Sequence, residues 1–170
     1  SAARIIKHAA NSYNVSPKVL LVLLQKEQSL VTDDWPLAGQ YRSATGFGCP
    51  DNAPCNSEYY GFYNQVMKAA YQFRRYATYP SSYRYKAFQT NSIQWSPNAA
   101  CGSSNVYIQN QSTAGLYNYT PYQPNASALN NLYGTGNTCS AYGNRNFWRM
   151  YHDWFGSTYG PSYSWQYQGQ

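Results

Sequence analysis

Among the six acidic residues of this chain, Glu27 alone lies in a strongly apolar helical segment. It closely follows the uninterrupted apolar residues 19–24. Helical spacing places its side chain on the apolar stripe of Leu20, Leu23, Leu24 and Val31. Burial and the negative end of the helix dipole both disfavour a charged carboxylate there. A carboxylic acid that keeps its proton near neutral pH is what a glycosidase needs as general acid. The alternative is a Glu27 side chain that simply points into solvent.

A second carboxylate would come from Asp33, Asp34 or Asp51. Asp33 and Asp34 lie just beyond the expected helix end, and Asp51 lies between two cysteines in a loop expected to cross a cleft. An inverting glycosidase uses such a group to activate water on the far side of the sugar. The alternative for Asp51 is an Asx turn that only shapes its loop.

The helix that carries Glu27 is expected to be the centre of the fold. Ser16 can cap it with its hydroxyl, and Pro17 occupies the first helical position, where a missing N–H costs nothing. Residues 32–36 form its exit turn, because Pro36 prevents continuation. Since residues 19–24 are apolar on every side, we expect a buried helix rather than a surface one.

The remaining pattern predicts a mainly α-helical domain with long disulfide-held loops and a small β-hairpin. A stapled loop is expected over residues 37–57, and a β-like run at 106–109. Ser57 can cap an amphipathic helix that has Glu58 in its first turn. The predicted helices cover residues 2–13, 57–76, 113–118, 126–133 and 144–155. The last one carries a heavy aromatic face that we assign to the core. One domain is expected over residues 1–159, followed by a linker or disordered tail at 160–170.

The composition favours an uncharged, hydrogen-bonding surface. Charged residues make up 11% of the chain, yet it has 20 tyrosines and a mean hydropathy of −0.66. Such a surface suits sugars, although many secreted proteins have it without binding them. The net charge of +6 is dispersed, with no basic run typical of nucleic-acid binding. It fits an acidic bacterial envelope better. No apolar run is long enough to cross a bilayer.

The four cysteines predict two local disulfide bonds and an oxidising compartment. We favour Cys49–Cys55 and Cys101–Cys139, since each pair closes a segment rich in glycine, asparagine or proline. Chain entropy gives about 2 kcal/mol for the short loop and about 4 kcal/mol for the long one. Zinc is the rival interpretation, but there is no CxxC spacing and the two histidines lie far from the cysteines. We therefore expect no metal and no cofactor.

The segment VLLVLLQKEQSL resembles the catalytic helix of the lysozyme-like superfamily, in particular soluble lytic transglycosylases and goose-type lysozymes. Glu27-Gln28-Ser29 matches their Glu–Ser pair, and residues 43–48 stand for the glycine-containing segment that follows, without its usual Gly-Leu-Met-Gln-like run. Residues 116–122, LYNYTPY, resemble the Tyr-Asn segment that lines the glycan cleft in transglycosylases. The chain is also similar to secreted actinobacterial cell-wall proteins with lysozyme-like domains.

This resemblance implies a secreted, cell-wall-associated enzyme that cleaves the β-1,4 MurNAc–GlcNAc bond of peptidoglycan, with Glu27 as general acid and base. A transglycosylase would need no second carboxylate. The implied substrate-binding residues are Ser29, Ser43, Thr45, Tyr117, Asn118, Tyr119 and Tyr122; otherwise these are cap, loop and packing residues. We expect a monomer or one module of a larger protein, with no nucleic-acid partner and no membrane insertion. The alternatives are a same-fold hydrolase of chitin, chitosan or another wall glycan, and a non-catalytic glycan-binding module.

Overall fold

The computed structural model describes residues 1–158, so the predicted tail at 160–170 and the last residue of the predicted domain lie outside the described residues. About half of the structure is helical, with one small hairpin. The elements are α1 (Ala2–Tyr13), α2 (Pro17–Gln28), α3 (Ala38–Arg42), α4 (Phe62–Thr78), β1 (Gln89–Gln94), β2 (Ser103–Ile108), α5 (Gln111–Tyr119), α6 (Ala126–Leu129) and α7 (Gly143–Phe155). The expected mainly α-helical class with a hairpin is confirmed.

Helix α2 is the central element, as its apolar sequence predicts. It contacts α1, α4 and α7. The fully or almost fully buried side chains of α2 are Leu20, Val22, Leu23 and Leu24. Residues from α1, α2 and α4 form the main core together with Ala44. Helix α2 is therefore held on several sides, and its C-terminal end has a defined position.

The two ends of α2 differ from the sequence prediction. Pro17 does begin the helix, but the Ser16 hydroxyl makes no capping hydrogen bond. The helix ends at Gln28 because Ser29 adopts a left-handed conformation with φ of 57°. The side-chain oxygen of Gln25 then accepts the N–H groups of Val31 and Thr32, each at 3.1 Å. Val31 thus lies outside the helix and is 44% exposed, so its place on the apolar stripe was wrong.

Three other predicted boundaries need correction. Residues Ser57–Tyr59 form a short 3-10 turn, and α4 begins only at Phe62, since Gly61 takes a φ of 100°. Ser57 is therefore not the cap of α4. The predicted loop at 37–57 contains the short helix α3. Helix α6 stops at Leu129, and the carbonyls beyond it accept hydrogen bonds from Arg145 instead of continuing a helix.

The hairpin and the chain after α5 form a second packing unit. Strands β1 and β2 pair antiparallel, with Gln89 opposite Ile108 and Gln94 opposite Ser103. Gln94 also makes a parallel bridge to Tyr122, and the Gln123 N–H donates to the Gln94 carbonyl at 3.0 Å. The segment that follows α5 is therefore laid along the edge of the hairpin, which places Tyr122.

Both predicted disulfides, Cys49–Cys55 and Cys101–Cys139, are present. The first closes the loop between α3 and the 3-10 turn. The second ties the turn between β1 and β2 to the segment before α7. Within residues 1–158 no helix is both long enough and apolar enough to cross a membrane.

Candidate functional site

Glu27 lies at the C-terminal end of α2 and is partly shielded from solvent. Its side chain is 27% exposed, and its Oε1 accepts a hydrogen bond from the ammonium of Lys26, which is only 7% exposed. The Lys26 Nζ also lies 3.5 Å from the Thr120 hydroxyl, just beyond α5. The Glu27 side chain therefore does not simply point into solvent, and it is not buried without a charged partner. Consecutive helix residues do not normally face each other, so sequence reasoning missed this pair.

The turn at residues 43–48 packs directly against the Glu27 carboxyl. Gly46 has a φ of 69°, and a Cβ built on it would lie 2.9 Å from Glu27 Oε2 and 3.1 Å from Glu27 Cδ. Both the left-handed conformation and the close approach require glycine at this position. The backbone of this turn therefore packs against one side of the Glu27 carboxyl.

The side chain of Gln65, on α4, holds this turn in place through hydrogen bonds. Its side-chain oxygen accepts the N–H groups of Thr45 and Phe47, each at 3.2 Å, and its amide donates to the Phe47 carbonyl at 2.9 Å. The Thr45 hydroxyl donates to the Gln65 backbone carbonyl at 2.9 Å. Both side chains are fully buried. Thr45 therefore supports the turn and presents no side-chain surface to a substrate. A glutamine on the apolar face of a predicted helix was the signal that could have revealed Gln65.

Tyr119 joins the turn to α5. Its hydroxyl donates to the Thr45 carbonyl at 2.8 Å, and its ring stacks on Phe73 with centroids 4.9 Å apart. Burial raises the pKa of the Tyr119 phenol well above its usual range, and the nearby charge of Glu27 acts in the same direction. The phenol consequently stays neutral and keeps its proton for the hydrogen bond.

Asp51 and Tyr122 contact each other through their side chains. The Tyr122 hydroxyl donates to Asp51 Oδ2 at 2.9 Å, although the two residues are 71 positions apart. Asn144 fixes the Tyr122 segment by donating to the carbonyls of Thr120 at 2.6 Å and Tyr122 at 2.7 Å. Burial, followed by the hydrogen bond and charge of Asp51, raises the pKa of Tyr122 to about 12. The short disulfide loop is thereby joined to the chain after α5.

Other residues proposed from the sequence have local structural contacts. Asn118 clamps the backbone of Tyr85, accepting its N–H and donating to its carbonyl at 2.9 Å each. Tyr117 packs against the second core cluster, which contains Tyr85, Ile93, Ile108 and Ala114. Ser29 is an exposed helix cap. Ser43 lies near the site, where its hydroxyl accepts from the Gln28 amide at 3.1 Å.

The two aspartates after α2 differ from each other. Asp33 accepts hydrogen bonds from the Gln40 amide at 2.8 Å and from the Trp35 N–H at 2.9 Å. These bonds, that from Gln40 first, lower the pKa of the Asp33 carboxyl. Asp34 is exposed. Asp33 therefore shapes the exit turn, and only Asp51 of the candidate second carboxylates is bonded to the chain after α5.

Two cavities lie on different parts of the molecule. The smaller, of about 450 Å³, is lined by Tyr119 and by Gly46, whose turn packs on Glu27. Its remaining lining is Phe47, Gly48, Cys49, Pro50, Asn56, Tyr59, Gln72 and Tyr76. The larger, of about 710 Å³, lies at the start of α2 and is bordered by α4, α5 and α7; Tyr117 lines it. None of the described residues lining the larger cavity is acidic. No acidic residue of the described chain lines the smaller cavity either, but the turn that lines it packs on the Glu27 carboxyl.

This arrangement suits proton transfer by Glu27. Glu27 offers one partly exposed carboxyl, the turn at 43–48 keeps it in place, and tyrosine rings and amides surround the adjoining space. Uncharged rings and amides bind sugars by stacking and hydrogen bonding. Gln65, Lys26, Tyr59 and Tyr76 are contributors that the sequence did not single out.

Comparison with known proteins gives one result. A search of curated proteins and a search of solved structures each returned no match. The family model described as LasA, N-terminal domain, matches residues 1–165. Together with the two disulfides, this family indicates a secreted, extracellular protein. Because the match spans nearly the whole sequence, the chain belongs to the LasA N-terminal domain family.

Proposed function

We propose that this protein is a secreted glycosidase that cleaves the β-1,4 MurNAc–GlcNAc bond of peptidoglycan. The observation that carries the proposal is Glu27, a partly shielded carboxyl at the end of the central helix, packed against the Gly46 turn that lines a cavity. A carboxyl in such a position can act as general acid towards a glycosidic oxygen.

The proposed reaction begins when Glu27 donates a proton to the oxygen between the two sugars. In a transglycosylase, the 6-hydroxyl of the muramic residue then attacks its own anomeric carbon, and Glu27 accepts the hydroxyl proton. In a hydrolase, water attacks instead and needs a base. Asp51 is the candidate base, because its hydrogen bond to Tyr122 joins it to the chain that follows α5.

Three features support a lysozyme-like arrangement for this site. The central buried helix carries Glu27 in its last turn, a glycine turn packs on that carboxyl, and α5 and the chain after it supply Tyr119 and Tyr122. The same three parts carry the resemblance in the sequence. An extracellular glycosidase of this kind would act at the cell wall, as a monomer or as one module of a larger protein.

Digestion of purified peptidoglycan by the wild type and by Glu27→Gln tests the proposal. We expect the variant to lose about a thousandfold in rate, since it keeps the shape of the side chain but cannot transfer a proton. Glu58→Gln is the matched control, because Glu58 is the other glutamate and is exposed in a 3-10 turn. Full activity of Glu27→Gln would refute the proposal.

Mass spectrometry of the soluble products separates the two reactions. Ends of 1,6-anhydro-muramic acid indicate a transglycosylase that needs Glu27 alone. Reducing muramic ends indicate hydrolysis and direct attention to Asp51, then to Asp33 and Asp34. Release of fragments only from chitin, chitosan or another wall glycan would keep the enzyme class and change the substrate.

A second candidate function is a glycan-binding module without catalysis. The specific observation in its favour is the contact between the Glu27 carboxyl and the ammonium of Lys26, because such a pair can serve the structure alone. A binding module would sediment with insoluble cell wall, release no soluble fragments, and be indifferent to Glu27→Gln. The same digestion and a sedimentation assay decide between the two functions.

A further inference from the structure

Lys26 carries an ammonium group that the fold encloses. Its side chain is only 7% exposed, and its Nζ lies 3.5 Å from the Thr120 hydroxyl. A Cβ built on Gly143 would lie 3.7 Å from the same Nζ. Because an ammonium that leaves water needs a compensating partner, such a position is tolerated only with a carboxylate at hand. The ion pair with Glu27 supplies that carboxylate.

The start of α7 determines the space around this ammonium. A Cβ built on Gly143, the first residue of α7, would lie 2.3 Å from Thr120 Cγ2, so the helix backbone packs directly on Thr120. The Asn144 amide donates to the Thr120 carbonyl at 2.6 Å. Thr120 is therefore held by two residues of α7, and the Lys26 ammonium beside it has little room to move away from Glu27.

The two carboxyl oxygens of Glu27 have different surroundings. Oε1 accepts the hydrogen bond of the Lys26 ammonium. Oε2 faces the Gly46 turn, where a built Cβ would lie 2.9 Å away, and no group within residues 1–158 donates a hydrogen bond to it. Because an ammonium has only donors, a proton placed on Oε1 would face another proton. Oε2 is therefore the oxygen that is left to exchange a proton with a substrate.

A fixed orientation matters here because glutamate is a flexible side chain. At 27% exposure the Glu27 carboxyl is open enough to turn towards solvent. A misplacement of about 1 Å between reacting groups can cost about a hundredfold in rate. The Gly46 turn contacts one carboxyl oxygen and the Lys26 ammonium binds the other, so the two together fix the orientation of the carboxyl.

We propose that Lys26 is a positioning residue, whose ammonium holds Oε1 of Glu27 so that Oε2 gives and takes the proton. This inference rests on the proposed catalytic function of Glu27. Oε2 gives its proton to the glycosidic oxygen as the bond between that oxygen and the anomeric carbon breaks. In the transglycosylase reaction, the attacking hydroxyl then bonds to that carbon and returns its proton to Oε2. Lys26 exchanges no proton and contacts no substrate.

The test measures kcat and KM on purified peptidoglycan for Lys26→Met, which keeps the apolar stem of the side chain and removes the ammonium. We expect kcat to fall about thirtyfold and KM to stay unchanged, because only the orientation of the acid is lost. Lys26→Gln, which keeps a shorter N–H donor, should lose less. The matched control is Lys18→Met, an exposed lysine of the same helix whose Nζ lies over the Phe155 ring, and it should keep full activity.

A purely structural ion pair predicts a different pattern. Lys26→Met would then change only the free energy of unfolding, measured in urea, and kcat per folded molecule would equal that of the wild type. If Lys26→Met lacks the circular dichroism spectrum of the wild type, Lys26→Gln serves for the same comparison.

A double-mutant cycle adds a second criterion. In the Glu27→Gln background no carboxylate is left to orient, so Lys26→Met should not lower the residual rate further. Three results would each overturn the inference: wild-type kcat for both Lys26 variants, a loss for Lys18→Met equal to that for Lys26→Met, or the full additional loss in the Glu27→Gln background.

The outcomes remain separable from those for the proposed function. If Glu27→Gln is inactive while both Lys26 variants are fully active, only the positioning role fails. If Glu27→Gln is fully active, the proposed function fails, and the positioning role fails with it. A wild type that releases no fragments would overturn both, since there would be no proton transfer for Lys26 to support.

Discussion

At the scale of single residues, the contact between Tyr122 and Asp51 joins two distant parts of the candidate site. The pKa of Tyr122 is raised to about 12, first by burial and then by Asp51. In the unfolded chain a tyrosine phenol titrates near its ordinary value of about 10. Because the folded pKa is the higher one, the contribution to stability is complete below pH 10 and is lost as the pH rises towards 12.

The variant Tyr122→Phe tests this contact. Loss of the hydrogen bond should lower the free energy of unfolding by about 1 kcal/mol at neutral pH. As the pH rises through 10 to about 12, the wild type should lose stability faster, so the difference between the two proteins shrinks. Urea unfolding across this range measures it. Asp51→Asn is the companion variant, since it keeps the phenol and removes the charge. Parallel pH dependence of wild type and Tyr122→Phe would contradict the assignment.

Lys26 shows how a residue-scale feature escapes a sequence pattern. The motif Lys26-Glu27 was visible, but helical spacing puts consecutive residues on different sides. The contact arises because Lys26 is enclosed near Thr120 and the start of α7, which leaves its ammonium beside Glu27. Only the packing of neighbouring elements determines that arrangement.

At the scale of elements, the candidate site depends on how the turn at 43–48 meets the end of α2. The turn is held by Gln65 of α4 and by Tyr119 of α5, so three separate elements position one carboxyl. Gly46 is the point of contact, and its backbone leaves no room for a side chain.

Gly46→Ala should therefore damage both fold and activity. The left-handed conformation alone costs an alanine about 1–2 kcal/mol, and the new methyl group would push the Glu27 carboxyl away. We expect activity on peptidoglycan to fall more than tenfold, beyond what the stability loss explains.

Gly39→Ala is the matched control for that change. Gly39 lies in α3, and a Cβ there would meet no atom within 4 Å. The variant should be as active as the wild type and up to about 1 kcal/mol more stable, because alanine favours helix. Urea unfolding and the digestion assay report both quantities. Equal behaviour of the two variants would contradict the proposed contact.

At the scale of the whole molecule, the two disulfides have different tasks. Cys101–Cys139 closes 38 residues of chain and Cys49–Cys55 closes 6. Replacing the long-range pair by serines should cost about 4 kcal/mol, and replacing the short-range pair about 2 kcal/mol.

We expect the opposite order for activity: replacing Cys49–Cys55 should reduce it more than replacing Cys101–Cys139. The short loop lines the smaller cavity and carries Asp51, whereas the long one anchors the hairpin. Guanidinium unfolding and the digestion assay on both double-serine variants measure the two effects. A larger activity loss from the Cys101–Cys139 replacement, once the fraction folded is accounted for, would contradict this division of tasks.

Local patterns in the sequence were sufficient for a large part of this protein. Apolar periodicity and helix-starting or helix-ending residues predict the bounds of α1, the start of α2 at Pro17, and most of α5 and α7. Loop composition predicts both disulfides. These features depend on residues close together in the chain. The mainly α-helical class follows from them. The lysozyme resemblance stays a prediction, since the family that matches is that of the LasA N-terminal domain.

Tertiary structure decided the rest, because contacts between distant residues are absent from any local pattern. Helix α4 begins five residues later than the predicted cap at Ser57 indicates, because Gly61 turns the chain there. The aromatic face of α7 is only partly core, since Trp148 is 45% exposed. The same holds for the candidate site: a helix places Glu27 by sequence alone, but Gln65, Tyr119 and Gln40 fix its surroundings through hydrogen bonds that only the folded chain can form.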